Sequence, residues 1–344
     1  MSGLRARRPL RGVLPAAAGR HRGGQGICRR HPPAGAVWLL PGVPGAGVRA
    51  SLFLQRFILV LLAVAVAAGC ARAPAVAGEA IVASIDPLAE FAARLAGQRA
   101  VVHVLVPAGV EVHDYEPTPG DLRRLVAARL FVYNGAGLEP WVSSLRAQLP
   151  PSVHVVEAAE GLPLAEAEGS VDPHVWLDPL LASQQAERIL AALLRLDPAG
   201  RSRYEANAAS LRADFRALDA AYRQGLAHCR RRKFITAHAA FGYLARRYGL
   251  RMVPISGLAP EAEPSPSRLK AIVQEARRAG IRVIYVEPRG ERRPAEIVAR
   301  EIGGRTAILD PLESLPPQGR RSGKAYFTVM YENLAQLVRG LECP

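Results

Sequence analysis

The chain has 344 residues and a formal net charge of +15, long enough for two domains with separate cores. Eleven of its 45 basic residues fall in positions 1–78, a stretch with no Asp or Glu, which leaves 34 basic against 30 acidic residues from Glu79 onward. That near balance argues against nucleic acid as a partner. The 42 arginines beside three lysines fit a GC-rich genome better than selection for phosphate binding.

Residues 1–50 are Gly, Pro and Arg without a period, and read as a disordered leader produced by a start codon placed too early. Initiation near Val48 or Leu52 gives a signal peptide over 51–69. Its apolar run, FILVLLAVAVAAG (57–69), follows Arg56 and is shorter than the roughly 20 residues a spanning helix needs. The run ends Ala67-Ala68-Gly69-Cys70, which resembles a bacterial lipobox, so Cys70 is expected to carry a lipid anchor followed by a linker over 70–79.

From Ala80 the pattern alternates between β-branched runs and amphipathic helices. Strands are expected at 81–85, 100–107, 130–135 and 153–158. Helices are expected from Asp86-Pro87, where Asp86 can cap, and over 121–128. This rhythm predicts a parallel sheet with ligand loops at the carboxyl ends of its strands, forming a first lobe over 80–197. Residues 198–228 break the rhythm. Tyr204, Ala208, Leu211, Phe215, Leu218, Tyr222 and Leu226 make one apolar stripe at helical spacing. A helix of about 30 residues spans about 45 Å, a rod the length of two lobes. Alternation then resumes across a second lobe, 230–344. Its strands are expected at 233–238, 251–256, 281–288 and 306–311, and its helices at 241–249, 267–280, 294–304 and 325–341. The fold class is therefore α/β, two (βα) lobes with parallel-rich sheets joined by one long rigid backbone helix over 198–229. No short-period repeat is present.

The cysteines, Cys28, Cys70, Cys229 and Cys343, include no CxxC pair. Cys229 and Cys343 either pair in an oxidising compartment or are two unrelated thiols, and sequence leaves both readings open.

Three histidines occupy three Pro- and acid-flanked loops: His113 in HDYEPTP, His174 in DPHVWLDP and His238 in TAHAAFGYL. Asp310 in LDPL ends the last strand. Taken singly, each has an ordinary reading: a solvated loop histidine, a helix N-terminal residue, a turn-capping aspartate. Taken together, all four lie at or just after strand ends, two in each half. Imidazoles and a carboxylate are the donors of a four-coordinate zinc site. Asp172 and Asp178 flank His174 and could accept its outer ring N–H. His103 and His154 fall inside strand patterns, and His228 reads as solvent-facing. HExxH, GxSxG and P-loop motifs are absent, so a zinc hydrolase is the weaker alternative.

The segments PAGVEVHDYEPTPGDLRRL, YNGAGLEPW, DPHVWLDP, ITAHAAFGYLARRYGL, GLAPEAEPSPSRL, VIYVEP and AILDPL occur in one order along the chain. In them it resembles the metal-binding solute receptors of bacterial ABC transporters, the ZnuA/TroA-like (cluster 9) family, from about Ile81 to Leu341. The resemblance implies a metal held between two lobes, with His113, His174, His238 and Asp310 as ligands. It also implies delivery to an ABC transporter permease with its ATPase, and a monomeric lipoprotein in the periplasm or at the cell surface. Surface adhesion is the alternative role within that family. Two departures stand out. The stretch before His174, EAAEGLPLAEAEGSVDPH, lacks the long His-rich loop of many zinc members. Some zinc members also lack the aspartate ligand, which makes Glu111 and Glu287 reserves for the fourth position. Three imidazoles favour Zn2+, with Mn2+ second, because manganese members place a glutamate where this chain has His238.

Overall fold

A computed structural model of the chain describes residues 79–167, 169–258, 264–315 and 326–344. The leader, the apolar run, Cys70 and part of the GLAPEAEPSPSRL segment lie outside the described residues. Two four-stranded parallel sheets form the framework. The first contains β1 (Glu79–Ala83), β2 (Ala100–Val104), β3 (Leu130–Tyr133) and β4 (His154–Glu157), in the order β2-β1-β3-β4. The second contains β7 (Lys233–Thr236), β8 (Arg251–Pro254), β9 (Val283–Val286) and β10 (Arg305–Ile308), in the order β10-β9-β7-β8. A short antiparallel hairpin, β5 (Glu166–Ala167) and β6 (Ser170–Val171), interrupts the first half, where the sequence pattern predicts no strand.

The first half carries α1 (Asp86–Ala96), α2 (Pro119–Val126), α3 (Val142–Arg146) and α4 (Pro179–Leu196). Asp86 does not cap α1. The N-cap position is Ile85, and the Asp86 carboxylate instead accepts the Leu315 N–H at 2.9 Å, tying α1 to the far end of the chain. The capping signal is cleaner at α2. Thr118 and Asp121 form a reciprocal capping box, and Pro119 at the first turn needs no N–H partner.

The long helix is α5 (Arg201–Leu226), 26 residues, entered through a 3-10 turn at Pro198–Gly200. All seven residues of the predicted stripe are buried along it. Leu211, Phe215, Leu218 and Leu226 each contribute about 1.5–3 kcal/mol by leaving water. The stripe meets α1, α4 and the C-terminal helix α9 (Tyr326–Gly340). Phe91, Phe215 and Tyr326 stack edge to face there, with centroids 4.9–5.9 Å apart. One apolar cluster thereby runs from Val82 of the first sheet to Tyr285 of the second. The second half is completed by α6 (Gly242–Arg247), α7 (Pro266–Arg278) and α8 (Arg293–Glu301).

Cys229 and Cys343 are joined as a disulfide across a sequence separation of 114. The same junction is clasped by backbone hydrogen bonds from Arg230 to Glu342 and from Arg231 to Leu341. None of the described helices is long and apolar enough to cross a membrane.

Candidate metal centre

Parallel strands deliver their following loops to one end of a sheet, and the candidate residues lie in four such loops. After β2 the chain turns at Pro107, where Gly109 adopts φ +82 and Val110 N–H closes the turn on the Pro107 carbonyl. Val112 and Tyr115 are buried on either side of His113. The Tyr115 hydroxyl donates to Asp121 at 2.7 Å, so the HDYEPTPGD motif is a helix cap that also presents an imidazole.

His174 is positioned by a denser set of bonds. Asp172 Oδ1 accepts both the His174 backbone N–H (3.0 Å) and its Nδ1 (2.7 Å). The Pro173 carbonyl accepts from Asn134 Nδ2, and the Asp172 carbonyl from the Tyr243 hydroxyl. Asn134 is itself held by the buried Glu139, whose carboxylate accepts the N–H groups of Asn134 and Gly135. The YNGAGLEPW motif is therefore a buttress for the His174 loop. Trp176 follows on a 3-10 turn and donates its indole N–H to Pro311 in the loop after β10, at 2.7 Å.

His238 lies two residues beyond β7, with its backbone carbonyl accepting from Thr236 Oγ1. Its Nδ1 contacts Glu287, which follows β9. The fourth loop contains Asp310, but the carboxylate that joins the histidines is Glu313. His113, His174, His238 and Glu313 each offer a donor atom, and these atoms all lie within 4.8 Å of one another. Asp310 is outside this group. Its carboxylate accepts the Leu312 N–H at 2.8 Å, while its backbone pairs with the Asn333 side chain. Leu312 then takes φ +64, and that left-handed residue swings Glu313 inward. The turn-capping reading of Asp310 describes its position. Of the two reserves, Glu287 backs His238 and Glu111 accepts the His113 backbone N–H. Together with Glu313 and Ser314 they line a small cavity of about 50 Å³ beside the group.

The spacings around Glu313 bracket those of a four-coordinate zinc site. Glu313 Oε1 lies 2.8 Å from His174 Nε2, 3.2 Å from His238 Nε2 and 3.8 Å from His113 Nε2. Donors about 2.0–2.1 Å from zinc stand about 3.3 Å apart, within that spread. The His113 Nε2 is buried and faces Glu313 Oε1 at 3.8 Å, too long for a direct hydrogen bond. His174, His238 and Glu313 are 0%, 1% and 4% exposed, so a bound ion would be shielded from water. Burial pushes the His238 imidazole down, but the charges of Glu313 and Glu287 outweigh it and hold the ring well above its ordinary value. His174 is raised in the same way against burial, by its bonds to Asp172 and Glu313. Burial would raise Glu313, yet the positive charge of His238 and the imidazole N–H groups keep it well below the carboxylate range. Glu111 is pushed up, first by burial and then by the charge of Glu313. Metal binding at such a group would displace protons from the imidazoles.

Residues 81–340 match the family model described as zinc-uptake complex component A, periplasmic (ZnuA). The chain belongs to this family. It is 36% identical over 273 residues to the high-affinity zinc uptake system protein ZnuA of Bacillus subtilis, covering 75% of this chain and 86% of that protein. It is 37% identical over 273 residues to the zinc-binding lipoprotein AdcA of Streptococcus pneumoniae, of which it spans only 54%. The Zn(II)-bound ZnuA-like domain of S. pneumoniae AdcA superposes with a TM-score of 0.70 at 36% identity, covering 77% of this chain and 99% of that one. A laminin-binding protein of Streptococcus agalactiae, described as having adhesin and metal-transporting activity, gives 0.71 at 32% identity, with 77% and 99% covered. The two-lobe α/β fold with its long helix is the fold of these ZnuA-like structures.

Proposed function

We propose that the chain is the extracytoplasmic receptor of a zinc-import system, capturing Zn2+ between its two sheets and delivering it to an ABC permease with its ATPase. One observation carries this reading: three imidazoles and one carboxylate from four separate loops converge within 4.8 Å in a buried pocket. The donors are His113, His174, His238 and Glu313, with Asp310 shaping the turn that presents the last. Nitrogen donors favour zinc over manganese, which is the second candidate cargo. Four protein donors leave no coordination position for a reactive water, which supports capture rather than hydrolysis. Cys70 is assigned a lipid anchor holding a monomeric receptor at the outer face of the membrane, in keeping with the lipoprotein AdcA. The metal pocket gives adhesion no role, so transport is preferred over the adhesin reading.

The test is metal analysis of the purified mature protein with His113→Ala, His174→Ala, His238→Ala, Glu313→Ala and Asp310→Asn. One zinc per chain is expected in the wild type, lost or strongly weakened in the first four and kept in the fifth. Full zinc occupancy in all four donor variants would sink the assignment.

A further inference from the structure

Two of the three histidines have a carboxylate on the nitrogen that faces away from the group, but the two carboxylates are embedded differently. Asp172 behind His174 also accepts a backbone N–H, and a Cβ placed on Gly242 would come within 2.6 Å of its Oδ2. Replacing Asp172 would therefore disturb the fold as well as the ring. Glu287 behind His238 is different. Its carboxylate contacts His238 Nδ1, keeps 12% of its side chain exposed, and lines the small cavity with Glu111 and Glu313. The His238 ring itself is 1% exposed, and its other nitrogen faces Glu313 Oε1 at 3.2 Å.

We propose that Glu287 is a positioning residue that makes His238 a zinc donor and contributes to the choice of zinc over manganese. This rests on the receptor reading above. A neutral imidazole carries one N–H, and only the nitrogen without it can hold a metal. Glu287 accepts the proton at Nδ1, which leaves the Nε2 lone pair directed at the other donors. Without that acceptor, Nδ1 would be buried and unpaired, or the proton would shift to Nε2 and donate to Glu313. The first makes the metal-binding tautomer less stable, and the second removes a donor from the centre. A carboxylate behind the ring also strengthens it as a donor. Nitrogen-donor strength matters more to zinc than to manganese, so the benefit is unequal between the two ions.

The experiment uses the mature protein and measures zinc and manganese affinity by chelator competition for wild type, Glu287→Gln, Glu287→Ala and His238→Ala. Cobalt-substituted visible spectra report donor geometry in the same variants. Glu287→Ala is expected to weaken zinc by about 10- to 100-fold, with a smaller loss for manganese and a changed cobalt spectrum. Glu287→Gln, whose amide oxygen can still accept from Nδ1, is expected to lie between alanine and wild type and to keep the tetrahedral cobalt bands. Zinc affinity in Glu287→Ala within about twofold of wild type overturns the proposal, as does an equal loss for both metals. A wild-type protein that takes up no zinc, or undiminished binding by His238→Ala, overturns the receptor reading and this proposal with it. A failure confined to the Glu287 variants leaves the receptor reading standing.

Discussion

The two halves of the molecule are built on one strand order. Numbered by appearance within each sheet, both run 2-1-3-4. The loops that carry the candidate donors nevertheless differ. The first sheet presents His113 after its second strand and His174 after its fourth, whereas the second sheet presents His238 after its first and Glu313 after its fourth. Topology therefore fixes where loops can meet, and local turn chemistry decides which of them carries a donor. The halves also differ in closure: the second is bounded by the Cys229–Cys343 disulfide, and the described part of the first contains no cysteine.

The largest expected effect tests that difference in closure. Reducing the disulfide, or Cys343→Ser, frees a loop of more than 100 residues and should cost about 4–5 kcal/mol by chain entropy. Urea unfolding would measure the loss. Hydrogen exchange should rise more in β7 to β10 than in β1 to β4, and equal rises would erase the distinction. His174→Ala removes a donor and strands the Asp172 carboxylate, so zinc affinity should fall by about 3 kcal/mol, more than 100-fold. A chelator titration would measure it.

The two acids of the fourth loop give a sharper contrast. Glu313→Gln should weaken zinc by at least about tenfold. Asp310→Asn should change it by less than that, because an amide oxygen can still accept the Leu312 N–H. Reversed magnitudes would return the fourth position to Asp310.

In the first half, Glu139→Gln puts an amide NH2 where two backbone N–H groups seek acceptors, at a cost of about 1–3 kcal/mol. Burial pushes the Glu139 carboxyl up to about 7. A carboxyl raised in the folded state makes stability fall as pH rises from about 4.5 through 7, because the unfolded chain ionises first. Denaturation midpoints at pH 5 and pH 8 should therefore differ less in the variant than in the wild type. The smallest effect concerns the centre itself. His174 and His238 hold protons to higher pH than free imidazole, so zinc must displace them and binds more tightly as pH rises. One displaced proton gives about tenfold per pH unit. A flat affinity profile through the neutral range would contradict proton displacement by the metal.

Most of the framework was legible because period and composition agree. The expected strands at 100–107, 130–135, 233–238 and 251–256 contain β2, β3, β7 and β8, and each expected run overshoots by including its ligand-side turn. The α5 stripe was readable residue by residue, since a helix with one buried face repeats its apolar positions regularly. The β5–β6 hairpin was not, because two-residue strands leave no period to detect. The place of Glu313 beside the histidines is hard to read for a different reason. The sequence around it, LDPLES, signals a turn at Asp310, but the deciding event is a left-handed leucine, and sequence rules look for glycine or asparagine there. An Asp-Pro pair with an acid three residues on was the available clue.

The indole of Trp176 hydrogen-bonds across the boundary to Pro311, and its own carbonyl accepts from the Tyr326 hydroxyl on α9. This ring acts as a dowel between the segment bearing His174 and the segment bearing Glu313. Prying the halves apart would have to extract it from a dry socket before either donor could retreat. Any separation of the two donor-bearing segments must therefore break these two buried hydrogen bonds as well as the donor group itself.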